Sequence, residues 1–315
     1  MRRRRFKFRN LWVALAASAA CAAGDSAAWG QACCAGSGAV TPGRLALHES
    51  ALAGVQLKAG DVLSSFDANG RVAPSPPGAS ELDFEQDVFG AIRVLNRGQI
   101  ALLVPLVETY RASGGLSEFG GGVGDINVSA RYDFTLTGAS RVLPGIAALA
   151  GLTIPTGTPP DAPNLGPLAT GATGIGAFQG NAGLAVEQAF GPWLVNATAI
   201  VAQRTARTVG VPPNQVHERL GAQWTFLAAV VYTLPSELAL AASASYLVEG
   251  DATIGGVDGY GTSHRLPTFT LSGVVPLSDT WRIQGALFDN PPIMQFGLNQ
   301  SATAGLIATV VKSWT

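Results

Sequence analysis

Asp125-Ile126-Asn127-Val128-Ser129-Ala130-Arg131-Tyr132-Asp133-Phe134-Thr135 is the stretch whose reading decides the fold. Ile126, Val128, Ala130, Tyr132 and Phe134 share one parity, and Asp125, Asn127, Ser129, Arg131 and Asp133 share the other. Successive side chains of a strand point to opposite faces, so this segment has one apolar side and one polar, charged side. The glycine run Gly120–Gly124 leads into it, and Thr137-Gly138-Ala139-Ser140 turns the chain back. About ten residues of this alternation is the signature of a strand that crosses a membrane in a barrel.

Working outward, the pattern recurs. Trp224, Phe226, Val230 and Tyr232 oppose Arg219, Gln223 and Thr225. Phe269, Leu271 and Val275 oppose Thr268, Thr270 and Ser272, and Trp281, Ile283 and Leu287 oppose Arg282 and Gln284. Twelve strands are predicted, over about 51–59, 86–95, 99–111, 125–135, 144–154, 180–190, 193–204, 219–234, 237–248, 266–277, 280–288 and 304–314. The second, third and seventh alternate poorly, and their registers are the least defined.

The connections sort by length. Asn96-Arg97-Gly98, Gly191-Pro192, Pro235-Ser236 and Ser278-Asp279 are tight turns after even strands. Every connection after an odd strand is long: about 60–85, 112–124, 155–179, 205–218, 249–265 and 289–303. Pro and Gly crowd them, and Asn69-Gly70 within the first predicts a hairpin turn. An even strand count with short turns on one side and long loops on the other is the topology of a bacterial outer-membrane β-barrel. The fold class predicted is therefore all-β, an antiparallel up-and-down barrel over residues 51–315. Aromatic residues near strand ends (Tyr110, Tyr132, Trp193, Tyr232, Tyr246, Trp281 and Trp314) fit belts at the two membrane interfaces.

Composition agrees. The chain has 315 residues, 47% hydrophobic and only 13% charged, too few charges to cover a soluble surface well. Mean hydropathy is +0.27, yet no run approaches the roughly 18 apolar residues of a membrane-spanning helix. The net charge of -1 leaves no basic footprint for nucleic acid.

Residues 1–28 read as a signal peptide. Arg2, Arg3, Arg4, Arg5, Lys7 and Arg9 form a positive start, Leu11–Ala20 an apolar segment, and Ser26-Ala27-Ala28 a cleavage site. The run Arg3-Arg4-Arg5-Phe6-Lys7 has a twin-arginine flavour, but a barrel crosses the inner membrane unfolded, which favours Sec export. Residues 29–50 lack a period and read as a periplasmic segment and candidate lumen plug. Cys21 leaves with the signal, and Ser18 argues against lipidation there. Cys33 and Cys34 survive cleavage. Adjacent cysteines bridge each other only under strain, so a vicinal disulfide, a metal contact, a link to a partner chain and a pair without any role all stay open.

Gly122-Val123-Gly124-Asp125, followed by a strand ending in Arg131-Tyr132, resembles a motif of the outer-membrane transporter-like family named for the MetA pathway of phenol degradation. Leu152-Thr153-Ile154-Pro155-Thr156-Gly157, closing the fifth strand into a long loop, is similar to that family too. The resemblance implies a roughly 12-stranded barrel engaged in uptake of small, often aromatic or apolar compounds. The Cys33-Cys34 segment and the Trp314-Thr315 ending depart from the pattern.

Candidate lumen-lining residues are the polar-face charges Arg93, Asp125, Arg131, Asp133, Glu187, Arg219 and Arg282, which would set the field felt by solutes. The plainer alternative is ion pairs that brace the wall. His48-Glu49-Ser50 has the serine–histidine spacing of outer-membrane phospholipases, but it precedes the first strand and lacks a third, orienting group. His217 and His264 fall in long loops without metal-ligand spacing. Gly120–Gly124 lacks the lysine of a phosphate loop and reads as a flexible loop entry. The Asn196-Ala197-Thr198 sequon lies in a strand and is discounted.

The expectation is a bacterial outer-membrane channel for passive passage of small, apolar or aromatic molecules. No cofactor, metal or enzymatic activity is expected, and the partners are outer-membrane lipids and a small-molecule solute. A structural or sensory barrel with a closed lumen is the alternative, and a phospholipase the remote one.

Overall fold

A computed structural model describes residues 43–138, 140, 142–210 and 215–315. The predicted signal peptide, Cys21, Cys33 and Cys34 lie outside these residues. Twelve antiparallel strands form the wall: β1 (Ala51–Phe66), β2 (Ser80–Leu95), β3 (Gly98–Ser113), β4 (Ile126–Thr135), β5 (Gly145–Ile154), β6 (Gln179–Phe190), β7 (Trp193–Arg204), β8 (Gln223–Thr233), β9 (Ala239–Glu249), β10 (His264–Pro276), β11 (Trp281–Asp289) and β12 (Ser301–Trp314). Each pairs with the next, and β12 pairs back onto β1 from Ala51↔Trp314 to Ser65↔Ser301, closing the barrel. Closure leaves no wall strand with an unpaired edge, the condition for placing a sheet in hydrocarbon.

Burial shows which way each side chain points. Along β11, Arg282, Gln284, Ala286 and Phe288 are buried while Trp281, Ile283 and Leu287 are exposed. The exposed parity carries Val88, Leu184, Leu240, Leu271, Leu287 and Leu306 to the outside around the barrel. In water such a surface would drive aggregation; in a bilayer it is solvated by acyl chains. Trp193 and Tyr232, ring centroids 4.7 Å apart, belong to the belt at the short-turn end, with Trp281 and Trp314 flanking the Lys312 ammonium. A charge in the apolar band is the clearest test. Leu271→Arg is expected to cost about 2–4 kcal/mol if it lies near the midplane. Urea titration of the folded, heat-modifiable band in lipid vesicles would read it.

Several strands are longer than predicted. β1 runs seven residues past Ala59, and β2 begins at Ser80. Polar residues there signalled loop, but Glu81, Asp83, Glu85 and Asp87 are one face of a strand. Asn69-Gly70 does make a hairpin turn: Gly70 has φ 71° and Val72–Pro74 pairs back on Ser64–Phe66. The backbone N–H groups of Arg71 and Asn69 donate to the Asp67 carboxylate and hold its pKa below the usual value.

Two expectations are corrected. Gly120–Gly124 is not a flexible loop entry. Leu116–Val123 is a strand that doubles back on the outer half of β3, with Gly121 opposite Glu108. A Cβ at Gly121 would run into the Val107 carbonyl and one at Gly120 into Thr170, which explains those two glycines. Second, β8 starts at Gln223. The preceding Val216–Arg219 belongs instead to a small extramural sheet with Arg207–Val209, Ala252–Ile254 and Val257–Gly259.

The interior is packed towards its short-turn end. Leu45, Leu52, Phe89, Ala91, Ala101 and Val311 form an apolar cluster inside the wall. Phe89 lies over Gly54 of β1, where an added Cβ would come within 2.5 Å of the ring. This cluster explains the poor alternation of β2 and β3. Their inner faces carry Phe89, Ala91, Ala101 and Leu103 because they meet protein rather than water.

Candidate solute pathway in the barrel interior

Residues 43–49 precede β1 and are bound to the inner wall at its short-turn end. Gln99 of β3 accepts from the Leu45 N–H at 3.0 Å and donates to the Gly43 carbonyl at 3.1 Å. Arg93 of β2 donates through Nε to the Glu49 carbonyl at 2.9 Å and through Nη2 to the Ala46 carbonyl at 2.6 Å. Glu49 pairs with Arg282 of β11 and accepts from the Ala46 N–H. Burial pushes the Glu49 carboxyl up, but Arg282 and that N–H outweigh it, so its pKa sits below the ordinary value.

A second knot forms across β4, β6 and β7. Glu187 is 1% exposed. It accepts both Arg44 guanidinium nitrogens at 2.5 Å, Arg131 at 3.3 Å, Thr137 Oγ1 at 2.9 Å and Asn196 Nδ2 at 2.9 Å. Arg131 also pairs with Asp133 at 2.8 Å. The bidentate Arg44 contact fixes both orientation and charge.

Five of the seven candidate residues (Arg93, Arg131, Asp133, Glu187 and Arg282) thus gather at the short-turn end, around residues 43–49. Asp125 and Arg219 do not join them. The Asp125 carboxylate accepts the Gly157 and Ile175 N–H groups at 2.9 and 2.7 Å and so braces the loop after β5. Arg219 is exposed in the extramural sheet, because the chain leaves that sheet before β8 begins. His48 and Ser50 also precede β1, and the Ser50 hydroxyl donates to the Trp314 carbonyl. Arg44, Glu49 and Gln99 were missed: no period marks the segment, and a lone glutamine gives no signal.

Further out, β2 presents Glu81, Asp83, Glu85 and Asp87 to the interior. Glu81 pairs with Arg111 at 2.8 Å and Glu85 with Lys58 at 3.2 Å. Asp83 takes the Thr109 hydroxyl at 3.1 Å and Asp87 the Gln56 amide at 3.0 Å. Their alternate spacing was a usable signal, hidden by reading 60–85 as loop. Arg204 and Glu249 form another buried pair at 2.7 Å.

The loops on the long-connection side are tied to the wall. Arg111 donates to the Leu168 and Ala169 carbonyls, Glu118 accepts the Leu168 N–H, and Arg207 donates to the Ile175 carbonyl. The Arg111 and Glu118 bonds hold the loop 155–178 against the doubled-back hairpin at Leu116–Val123, and the Arg207 bond ties it to the extramural sheet.

An apolar exterior, an aromatic belt at the short-turn end, complete closure and a charged interior define an outer-membrane β-barrel. Among solved structures, the chain is similar to the COG4313 outer membrane channel from Pseudomonas putida F1. The TM-score is 0.70 at 16% identity, covering 85% of this chain and 97% of that one. Weaker similarities are to the transport unit of the autotransporter AIDA-I from Escherichia coli, with TM-score 0.46, 7% identity and coverage of 84% and 90%. The TodX monoaromatic hydrocarbon channel mutant gives TM-score 0.44, 10% identity and coverage of 84% and 90%. No family model matches this sequence, and no curated protein matches it.

Proposed function

We propose that this chain is a passive channel of the bacterial outer membrane for small molecules with apolar or aromatic bodies. The observation that carries the reading is the two-sided interior. Apolar clusters such as Ala286, Phe288 and Ile307 lie on the same inner wall as the charged strip from Glu81 to Asp87. A wall that only had to be stable would gain nothing from that strip, since buried ion pairs seldom repay their desolvation. The fold shared with a protein described as an outer membrane channel, and the sequence resemblance to the phenol-degradation transporter family, both support it.

The second reading is a structural or sensory barrel with a closed lumen. It is favoured by the ties of residues 43–49 to Gln99, Arg93, Glu187 and Arg282. The phospholipase reading loses its ground, since His48 and Ser50 lie ahead of the wall and Ser50 is committed to Trp314. Conductance of the refolded mature protein in a planar bilayer separates the first two. Steady ion-conducting steps are expected for a channel. Silence from protein shown to be folded would favour the closed barrel.

A further inference from the structure

One hydrogen-bonding row crosses seven strands of the inner wall. Its register runs Ala239, Val274, Gln284, Thr309, Gln56, Asp87 and Pro105, from β9 through β12 and β1 to β3. Gln284, Thr309, Gln56 and Asp87 are polar and buried. Thr309 donates to the Gln56 carbonyl oxygen at 3.2 Å, and Gln56 donates to Asp87 Oδ2 at 3.0 Å. The ends of this chain are open. Asp87 is 3% exposed, yet its Oδ1 has no donor among the described residues, and Gln284 Nε2 has no acceptor among them. A buried carboxylate oxygen without a donor is costly, and such groups call for an explanation.

The neighbours restrict what would complete it. The nearest cation along the wall, Lys58, is committed to Glu85 at 3.2 Å and lies 5.5 Å from the Phe288 ring centroid. Arg282 is held by Glu49. The Glu85 carboxylate adjoins Asp87 but is paired with Lys58, and Gln56 and Thr309 are neutral, so Asp87 supplies the open anionic oxygen and the described residues offer too few hard ligands here for a divalent metal. On one side of the row lie Ala286, Phe288 and Ile307; on the other lie Leu52, Phe89 and Val311. An ammonium carried on an apolar body matches both the open oxygen and the apolar flanks. The chain's own Lys58, held between a carboxylate and an aromatic ring, shows the same chemistry one step along the wall.

We infer that the Asp87–Gln56–Thr309–Gln284 row is a solute station that binds the ammonium group of small amines with apolar or aromatic bodies. The inference rests on the channel reading and names a solute class for it. Asp87 Oδ1 accepts from the ammonium, and Gln284 Nε2 donates to a polar substituent on the amine's body.

The test is calorimetric titration of the folded full-length mature protein in detergent with benzylamine at neutral pH, and with benzyl alcohol as its neutral counterpart. The amine is expected to bind about tenfold more tightly, the scale of one hydrogen bond to a charged group. Asp87→Asn keeps the shape and removes the charge, and is expected to bring the two ligands level. Equal binding in the wild type, or a preference that survives in Asp87→Asn, overturns the station. If that variant does not fold, benzyltrimethylammonium carries the same test on the wild type: it keeps the charge and has no N–H to donate to Asp87 Oδ1, so it should bind more weakly than benzylamine. Equal binding of the two cations overturns the station. Conductance without amine preference removes the station and leaves the channel; amine binding without conductance does the reverse.

Discussion

Glu187→Ala is expected to destabilise the barrel by about 3–5 kcal/mol, the cost of leaving buried charges without their partner. Glu187 is buried, and four groups converge on it: Arg44, Arg131, Thr137 and Asn196. Removing the carboxylate leaves Arg44 and Arg131 in a low-dielectric site, and Arg131 keeps only Asp133. Glu187→Gln retains an acceptor for Thr137 and removes the charge, so it should fall between wild type and Glu187→Ala. The urea midpoint of the heat-modifiable band in lipid vesicles measures both. A loss for Glu187→Ala no larger than that of an exposed substitution would show that the knot is hydrated and contributes little.

Removing residues 43–49 is expected to raise single-channel conductance severalfold while the wall stays folded. This rests on our reading of that segment as a plug. The wall closes on itself through β1 and β12, which pair from Ala51 onward, so its hydrogen bonds do not depend on residues 43–49. The segment is instead held by side chains: Gln99, Arg93, Arg282 and Glu187. Bilayer recordings of the trimmed and mature proteins at equal salt compare them directly. Unchanged conductance would mean that solutes pass beside the segment or that the constriction lies at the loop 155–178. Glu187→Ala links the two results, because it removes the bidentate partner of Arg44 on the wall and should loosen the segment without shortening the chain.

Acid is expected to loosen the same segment. The Glu49 pKa is lower in the folded protein than its ordinary value of 4.5. Its stabilising contribution is therefore complete above that ordinary value and is lost as pH falls through the lowered folded value. Conductance or protease access to residues 43–49 should rise in that acidic window and stay flat near neutrality.

The strand count, the closed up-and-down architecture and the side of each long connection were legible in the sequence. They follow from local rules: side chains alternate with period two, and turns demand Gly, Pro, Asn or Ser at particular positions. The alternation read in residues 125–135 holds from Ile126 to Asp133 in β4, because its outer face meets lipid and its inner face carries polar groups, while Asp125 falls outside the strand. Boundaries failed where polarity was mistaken for a loop. Glu81, Asp83 and Glu85 are spaced for a strand, and only pairing with β1 and β3 makes them one.

Tertiary structure alone decided what fills the interior. Nothing local ties Arg44 to Glu187, 143 residues away, or Glu49 to Arg282, 233 residues away. Those contacts exist because closing the wall brings distant strands to face a common interior, where unpaired charges are costly and each ion finds its partner. The same closure aligned Gln284, Thr309, Gln56 and Asp87 from four strands into one row. The sequence by itself determined that the chain would make a membrane barrel, because the bilayer reads only local alternation and length. Which side chains meet inside it depended on register and closure, which are properties of the whole sheet.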